Sequence, residues 1–257
     1  MTKDLHTPEE WAKILKNQAD YTREYRLKLY KKVDISEKEC ILDIGCGTGA
    51  VTEDLVSLSN GVITGVDIDD KKLVYAKKLL DTVNFLQTDV LWLPFRDNTF
   101  DLVVFNIVLT HINEQERAVK EMARVTKKNG IVLATIEPDY AGVVHYPETK
   151  ADHIFKEKFE GIGVEMETGR KLRYLFSKAG LKTEIGLCNV GIDTYNKDPE
   201  ERIEMYEENF YRTEETLSGY GWSPEEIKEF KHEQIDNIRN NFDFSYCPCF
   251  FAIGRKK

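Results

Sequence analysis

The sequence has no run of about 18 or more apolar residues, so no part of its 257 residues is expected to span a membrane. The opening stretch MTKDLHTPEEWAKILKNQ places acids where a secretory leader would carry an apolar core, which makes the cytoplasm the expected location. Cysteine is scarce. The five present, Cys40, Cys46, Cys188, Cys247 and Cys249, are odd in number and scattered, which argues against a disulfide framework. Basic residues are outnumbered: 36 Lys and Arg face 45 Asp and Glu, a net charge of −9. A chain of this sign is a poor match for a phosphate backbone, so nucleic acid is not an expected partner. Internal repeats, low-complexity linkers and the Gly-Lys-Ser/Thr ending of a phosphate-binding loop are also missing. The remainder, 41% hydrophobic and 32% charged, is the composition of a soluble globular protein.

Three segments open alike: Thr7-Pro8-Glu9-Glu10, Asp198-Pro199-Glu200-Glu201 and Ser223-Pro224-Glu225-Glu226. Each supplies a side-chain oxygen for a free N–H, a proline where no donor is needed, and acids against the helix dipole, so each predicts a helix start. Between the first and second lies an alternating pattern. Apolar runs at Cys40–Ile44, Val62–Val66, Val83–Leu86, Phe100–Phe105 and Ile131–Ile136 alternate with helical stretches near 50–59, 70–80 and 113–127. Asn129-Gly130 is expected to break the last of these helices before its strand. A further helix at 168–179 ends at Gly180 and leads to a strand near Leu181–Val190, and Cys249–Ile253 reads as the last strand. Strands separated by helices predict a parallel sheet, because parallel neighbours need a crossover.

The strongest local signal is Ile41-Leu42-Asp43-Ile44-Gly45-Cys46-Gly47-Thr48-Gly49, a buried strand entering a glycine-rich turn before a helix. Such a turn lets a ligand approach the backbone and the free N–H groups of the helix. The next strand ends Gly65-Val66-Asp67-Ile68-Asp69, and Asp67 stands where a carboxylate can accept from ribose hydroxyls, with Asp69 better suited to capping the following helix. Together the two features point to an adenosine-containing ligand at the carboxyl ends of the strands. A dinucleotide loop reads G-x-G-x-x-G, and its last position tolerates the Ala50 found here. Asp43 would repel a pyrophosphate on the turn but could accept from an α-ammonium group.

With LDIGCGTG at 42–49, GVDI at 65–68, LQTDVLWLPFRDNTFDLVV at 86–104 and EMARVTKKNGIVLATIEPD at 121–139, the sequence resembles the class I S-adenosylmethionine-dependent methyltransferase superfamily, in its small-molecule type. GRKLRYLFSKAGL at 169–181 and FFAIGRKK at 250–257 also resemble its members. The resemblance implies an α/β fold with a Rossmann-like sheet of seven strands, mostly parallel with an antiparallel last strand, plus a helical insertion. It implies S-adenosyl-L-methionine as cofactor and a single domain over 1–257, comprising an N-terminal helical cap at 1–38, a cofactor-binding core at 39–137, and substrate-lid segments at 138–167 and 198–242. By the same resemblance Asp43, Gly45 and Gly47 line the methionine part of the cofactor. Asp67 accepts from the ribose, Ile68 packs on the adenine, Asp89 accepts from its amino group, and Val90 donates its backbone N–H. Asn106 lies beneath the sulfonium. Arg26 either pairs with the cofactor carboxylate or is a solvent-facing helix arginine.

The sulfonium methyl is already activated, so the protein has to align the acceptor and exclude water. A base is needed only where the acceptor loses a proton. Candidate catalytic residues near the expected sheet edge are His111, Tyr140 and His145, each with a structural alternative as cap, aromatic wall or surface loop. Glu137 and Asp139 either bind a cationic acceptor or satisfy loop backbone groups. No metal is expected: Cys247-Pro248-Cys249 offers two of the four ligands of a structural zinc, and Asp139 alone does not make an acidic cluster. The fourth strand is followed by Phe105-Asn106-Ile107-Val108, not Asn-Pro-Pro-Tyr, so the resemblance does not support base methylation. Tyr195, Tyr206, Phe210, Tyr211, Tyr220 and Trp222 are expected to form the lid's small core. Residues 198–241 hold thirteen acids and five bases, so −8 of the chain's −9 belongs to that lid. The expected reaction is methyl transfer to a small organic acceptor. The alternatives are methylation of RNA or protein, or cofactor binding without catalysis; oligomeric state is left open.

Overall fold

The computed structural model describes residues 7–257; residues 1–6 of the expected N-terminal cap lie outside the described residues. In chain order the elements are α1 Pro8–Lys32, β1 Cys40–Ile44, α2 Thr52–Leu58, β2 Val62–Asp67, α3 Asp70–Leu79, β3 Asn84–Gln87, β4 Phe100–Phe105, α4 Gln115–Val125, β5 Thr126–Pro138, β6 Val144–Tyr146, α5 Asp152–Gly161, α6 Thr168–Lys178, β7 Leu181–Cys188, α7 Pro199–Gly219, α8 Pro224–Arg239, β8 Phe244–Tyr246 and β9 Cys249–Lys256. Seven strands form one sheet in the order β3-β2-β1-β4-β5-β9-β7. β1 to β5 pair in parallel, and β9 runs antiparallel between β5 and β7. The sequence reversal at β1 and β4 leaves a crevice at their carboxyl ends, where ligands of such sheets bind.

The three proline-marked helix starts are present. Thr7 and Ser223 each accept from the N–H three residues on and donate their own backbone N–H to the carboxylates of Glu10 and Glu226, and Asp198 accepts from Glu200 N at 2.9 Å. The central strands are buried on both faces. Leu42, Ile44, Val103 and Phe105 pack towards Val119, Met122 and Phe176 of α4 and α6. Ile41, Leu102 and Val104 pack towards Leu29, Tyr30 and Leu55 of α1 and α2.

A local expectation is corrected. Asn129-Gly130 does not end α4, which stops at Val125. Thr126 Oγ1 donates to Met122 O at 2.7 Å, and Lys256 Nζ donates to the carbonyls of Ala123, Arg124 and Thr126, so the helix end is satisfied before the turn residues arrive. Asn129, at φ +62°, instead lies in an irregular stretch of β5 where the register with β4 jumps from Phe100↔Thr126 to Leu102↔Ile131. The antiparallel pair β6–β8, which joins the segment after β5 to the end of the insertion, has no periodic signal and no counterpart among the expected strands. The inserted helices pack on each other through Phe210, Leu217 and Ile227, with Tyr206, Trp222 and Phe230 beside them. Tyr211 and Tyr220 are 48% and 41% exposed and lie outside that core. No helix among the described residues is long and apolar enough to cross a membrane.

Candidate active site

β1 delivers the chain into the loop Gly45–Gly49 at the crevice. Gly45 has φ +65° and Gly47 φ +52°, conformations that side chains rarely adopt. A Cβ on Gly45 would stand 2.6 Å from Val108 Cγ2, so the loop following β4 closes directly on the glycine turn. Leu15, Gln18 and Ala19 of α1 form the other wall, facing Asp43, Gly47 and Asn106.

Three carboxylates are held along this edge, Asp43 by a hydroxyl and Asp67 and Asp89 by backbone N–H groups. Asp43 is 2% exposed and accepts from Thr52 Oγ1 at 2.6 Å. Burial pushes its pKa up to about 7; the Thr52 bond opposes the rise and the Asp67 charge adds to it. Asp67 accepts from Gly47 N at 2.8 Å and from Asp69 N at 2.9 Å, so it spans the glycine loop and the end of β2. Asp69 caps α3 by accepting from Lys71 N at 3.0 Å, the division of labour expected from the sequence. Asp89 accepts from Leu91 N at 2.8 Å at the head of the short turn Val90–Trp92. Ile68 follows Asp67 and is 67% exposed, an apolar side chain held open to the outside. Asn106 Oδ1 lies 2.8 Å from Thr135 Oγ1, which fixes it against β5.

Glu137, named from the sequence with two alternative roles, organises the loop after β4. Glu137 is fully buried and accepts from Val108 N at 2.7 Å, Leu109 N at 3.2 Å and Thr110 N at 3.3 Å. Burial raises its pKa to about 7 against the pull of those three N–H groups. Of its two expected roles, satisfying loop backbone groups is the one realised. The same holds for Asp139, which accepts from Arg170 N at 3.0 Å and pairs with the Arg170 guanidinium through both oxygens. Both carboxylates are buried and engaged through both oxygens.

Arg26 is 0% exposed, which excludes the solvent-facing alternative. Its guanidinium donates to Asp54 Oδ2 at 2.7 Å, Thr22 Oγ1 at 2.5 Å and Ala19 O at 2.8 Å, tying α1 to α2 behind the crevice wall. The candidate catalytic residues are dispersed. His111 closes the turn held by Glu137; desolvation by the surrounding protein and then the Lys72 charge hold its pKa below the usual imidazole value. Tyr140 stacks on Phe159 with centroids 4.8 Å apart, and burial raises its pKa. His145 lies on β6 opposite Ser245 and is exposed. None of the three is among the residues lining the crevice beside Gly45 and Gly47. Cys249 is buried opposite Cys188 in the β7–β9 ladder, and among the described residues no group of three or more His, Cys, Asp or Glu could hold a metal ion.

The residue set fits an adenosine joined to an amino acid: a glycine turn without side chains, a buried carboxylate at its base, a second carboxylate at the end of β2 and a third at the turn after β3. Comparison with known proteins agrees. A family model described as "Methyltransferase domain" matches residues 42–134. The chain is 31% identical over 164 residues to an uncharacterized methyltransferase of Schizosaccharomyces pombe, covering 58% of this chain and 57% of that one. It is 35% identical over 105 residues to the malonyl-[acyl-carrier protein] O-methyltransferase of Buchnera aphidicola, covering 41% and 42%. The chain therefore spans about half the length of these curated relatives. The fold superimposes on phosphoethanolamine N-methyltransferase 2 of Haemonchus contortus, solved with phosphomonomethylethanolamine and S-adenosylhomocysteine, with a TM-score of 0.58 at 20% identity over 85% of this chain and 49% of that one.

Proposed function

We propose that this chain is a class I S-adenosylmethionine-dependent methyltransferase that transfers the cofactor's methyl group to a small organic acceptor. The observation that carries the reading is the crevice in which Asp43, Gly45, Gly47 and Asn106 meet, with Asp67 bonded to Gly47 N at its side. In this reading Asp43, Gly45 and Gly47 hold the amino-acid end, Asp67 the ribose, and Ile68, Asp89 and Val90 the adenine. Asn106 lies under the sulfur, where the bound cofactor supplies an activated methyl. Arg26 acts through α1 rather than on the ligand, because its donors are committed to Asp54, Thr22 and Ala19.

The acceptor region of this proposal is made by α1, the segment 138–167 and the insertion 198–242, within a single domain. His111, Tyr140 and His145 stay candidates for contact with the acceptor; cytoplasmic action belongs to the same reading. A small acceptor is favoured over RNA because the insertion carries a net −8, which repels a phosphate backbone. The names of the relatives point the same way. The test is isothermal titration with S-adenosylmethionine and S-adenosylhomocysteine, followed by transfer of labelled methyl to separated metabolite, RNA and protein pools. We expect both ligands to bind and the label to enter the metabolite pool. Absence of binding defeats the family role, and label in RNA or protein alone defeats the small-acceptor reading.

Asp43 adds a pH signature. Its free carboxyl titrates at about 7, and an α-ammonium group beside it would favour the ionised form. Cofactor binding is therefore expected to release up to about one proton near neutral pH, with affinity rising from pH 6 to pH 8 and levelling above. Calorimetry in buffers of differing ionisation heat measures the release; Asp43→Asn abolishes it. A pH-independent affinity in the unaltered protein would count against ammonium recognition by Asp43.

A further inference from the structure

Asn106 follows β4 directly and lines the crevice with Asp43, Gly45 and Gly47. The next residue, Ile107, is β-branched yet stands at φ +54°, a conformation such side chains rarely adopt, and its N–H donates to Ile136 O at 2.8 Å. Strain of this kind persists only where the surroundings fix the chain, so the backbone that carries Asn106 is held in one place. The side chain is held too. Thr135 of β5 is 0% exposed, and its hydroxyl oxygen lies 2.8 Å from the inner end of the Asn106 amide and 3.1 Å from Phe105 O.

Those two contacts decide which way the amide points. A hydroxyl has one proton to give, and a backbone carbonyl can only accept. With the amide oxygen inward, Asn106 and Phe105 O compete for the Thr135 proton, and one of the two contacts carries no hydrogen. With the NH2 inward, it donates to Thr135 Oγ1 while Thr135 donates to Phe105 O, and both contacts are hydrogen bonds. The second arrangement is favoured by one hydrogen bond, and it leaves the amide oxygen to the crevice.

We propose that Thr135 is a positioning residue: by taking the NH2 of Asn106 it aims the amide oxygen at the cofactor's sulfur, and so tilts the site towards the charged sulfonium of S-adenosylmethionine and away from the neutral thioether of S-adenosylhomocysteine. The inference rests on the methyl-transfer reading, which puts Asn106 under the sulfur. A carbonyl oxygen is the negative end of a dipole. It is attracted by a sulfonium charge and by the polarised C–H groups of its methyl, and the thioether has neither. Asp43 and Asp67 do not discriminate in this way, because both ligands carry the same ammonium group and the same ribose. Thr135 itself touches neither ligand, since Asn106 stands between it and the crevice.

The test is a calorimetric titration of the full chain with S-adenosylmethionine and with S-adenosylhomocysteine, and the quantity read is the ratio of the second Kd to the first. Thr135→Val keeps the shape of the side chain but removes the hydroxyl, so the amide is free to turn, and the ratio is expected to fall about fivefold. Thr135→Ser keeps the hydroxyl and should retain the ratio of the unaltered protein. Asn106→Leu removes the amide itself and should lower the ratio by the same factor, with no further fall when Thr135→Val is added to it. Because Asn106 lies at the crevice and not within the sheet, that variant decides the matter even if Thr135→Val does not fold. A ratio unchanged by Thr135→Val or by Asn106→Leu overturns the inference. Equal losses in the Val and Ser variants, which would mark a packing effect, overturn it as well, as do additive losses in the double variant. Failure of the unaltered protein to bind either ligand is a different result: it overturns the methyl-transfer reading on which the inference rests.

Discussion

Asp54→Leu is expected to lower the unfolding free energy by about 3–5 kcal/mol, because it strands the buried guanidinium of Arg26 without a counter-charge. The pair is 1% and 5% exposed at its two side chains, so water cannot take over the lost bonds. Asp54 also accepts from Arg23 at 2.7 Å, but Arg23 is 48% exposed and can be solvated when its partner goes. At this chain length about 2–4 °C of melting temperature accompanies each kcal/mol, so a drop of roughly 10 °C is expected in a thermal scan. The double variant Arg26→Met with Asp54→Leu replaces both charges by apolar groups, and should recover about 1–3 kcal/mol relative to the sum of the single changes. A cost below about 1 kcal/mol for Asp54→Leu would show that the pair does not hold α1 to α2. The result also bears on function: α1 supplies Leu15, Gln18 and Ala19 to the crevice wall, so a loosened α1 should weaken cofactor binding without any ligand contact having been removed.

The Arg26–Asp54 pair also shows where the sequence stops being readable. Arg26 sits in a helix, and its partner lies 28 positions away on another helix, so neither its burial nor its bonds have a local signature. β1 at Cys40–Ile44 and β4 at Phe100–Phe105 were legible to the residue, because a strand covered on both faces leaves an uninterrupted apolar run. The helix starts at Thr7, Asp198 and Ser223 were legible because a cap is a short-range chemical event. β6 and β8 were not: each is three residues long, mostly exposed, and defined only by its distant partner. In the site, Asp67 could be singled out because it ends a recognisable strand after the glycine turn, whereas Asp89 rested on the family resemblance. Glu137 could be named but not assigned, since its role depends on three N–H groups almost thirty residues upstream that only the folded loop turns towards it. Tyr211 and Tyr220 belong to the same class of error: on a two-helix insertion, composition shows that aromatics are present but not which face they occupy.

Asp67→Ala is expected to produce the largest loss of cofactor affinity, about hundredfold or more. Hydrogen bonds to a charged acceptor are worth about 1.5–3 kcal/mol each, and a ribose offers two hydroxyls. The carboxylate already accepts from Gly47 N and Asp69 N, one bond per oxygen, and each oxygen keeps a further lone pair for a ligand. That double duty makes an alternative cause of weak binding possible, in which the substitution merely releases the glycine turn. The two causes separate when S-adenosylhomocysteine is compared with its 2′-deoxy analogue by calorimetry. If Asp67 binds the ribose, the penalty for Ala is large with the parent ligand and shrinks by about tenfold with the analogue, since part of the interaction is gone from both sides of the comparison. If Asp67 only shapes the turn, the two ligands lose affinity equally. Asp67→Asn sharpens the distinction: the amide is nearly isosteric, but its single oxygen can accept from only one of Gly47 N–H and Asp69 N–H while its NH2 faces the other, so it should bind S-adenosylhomocysteine little better than the Ala variant. Near-normal affinity in the Asn variant would mean that the charge on Asp67 is not what the ribose or the loop requires.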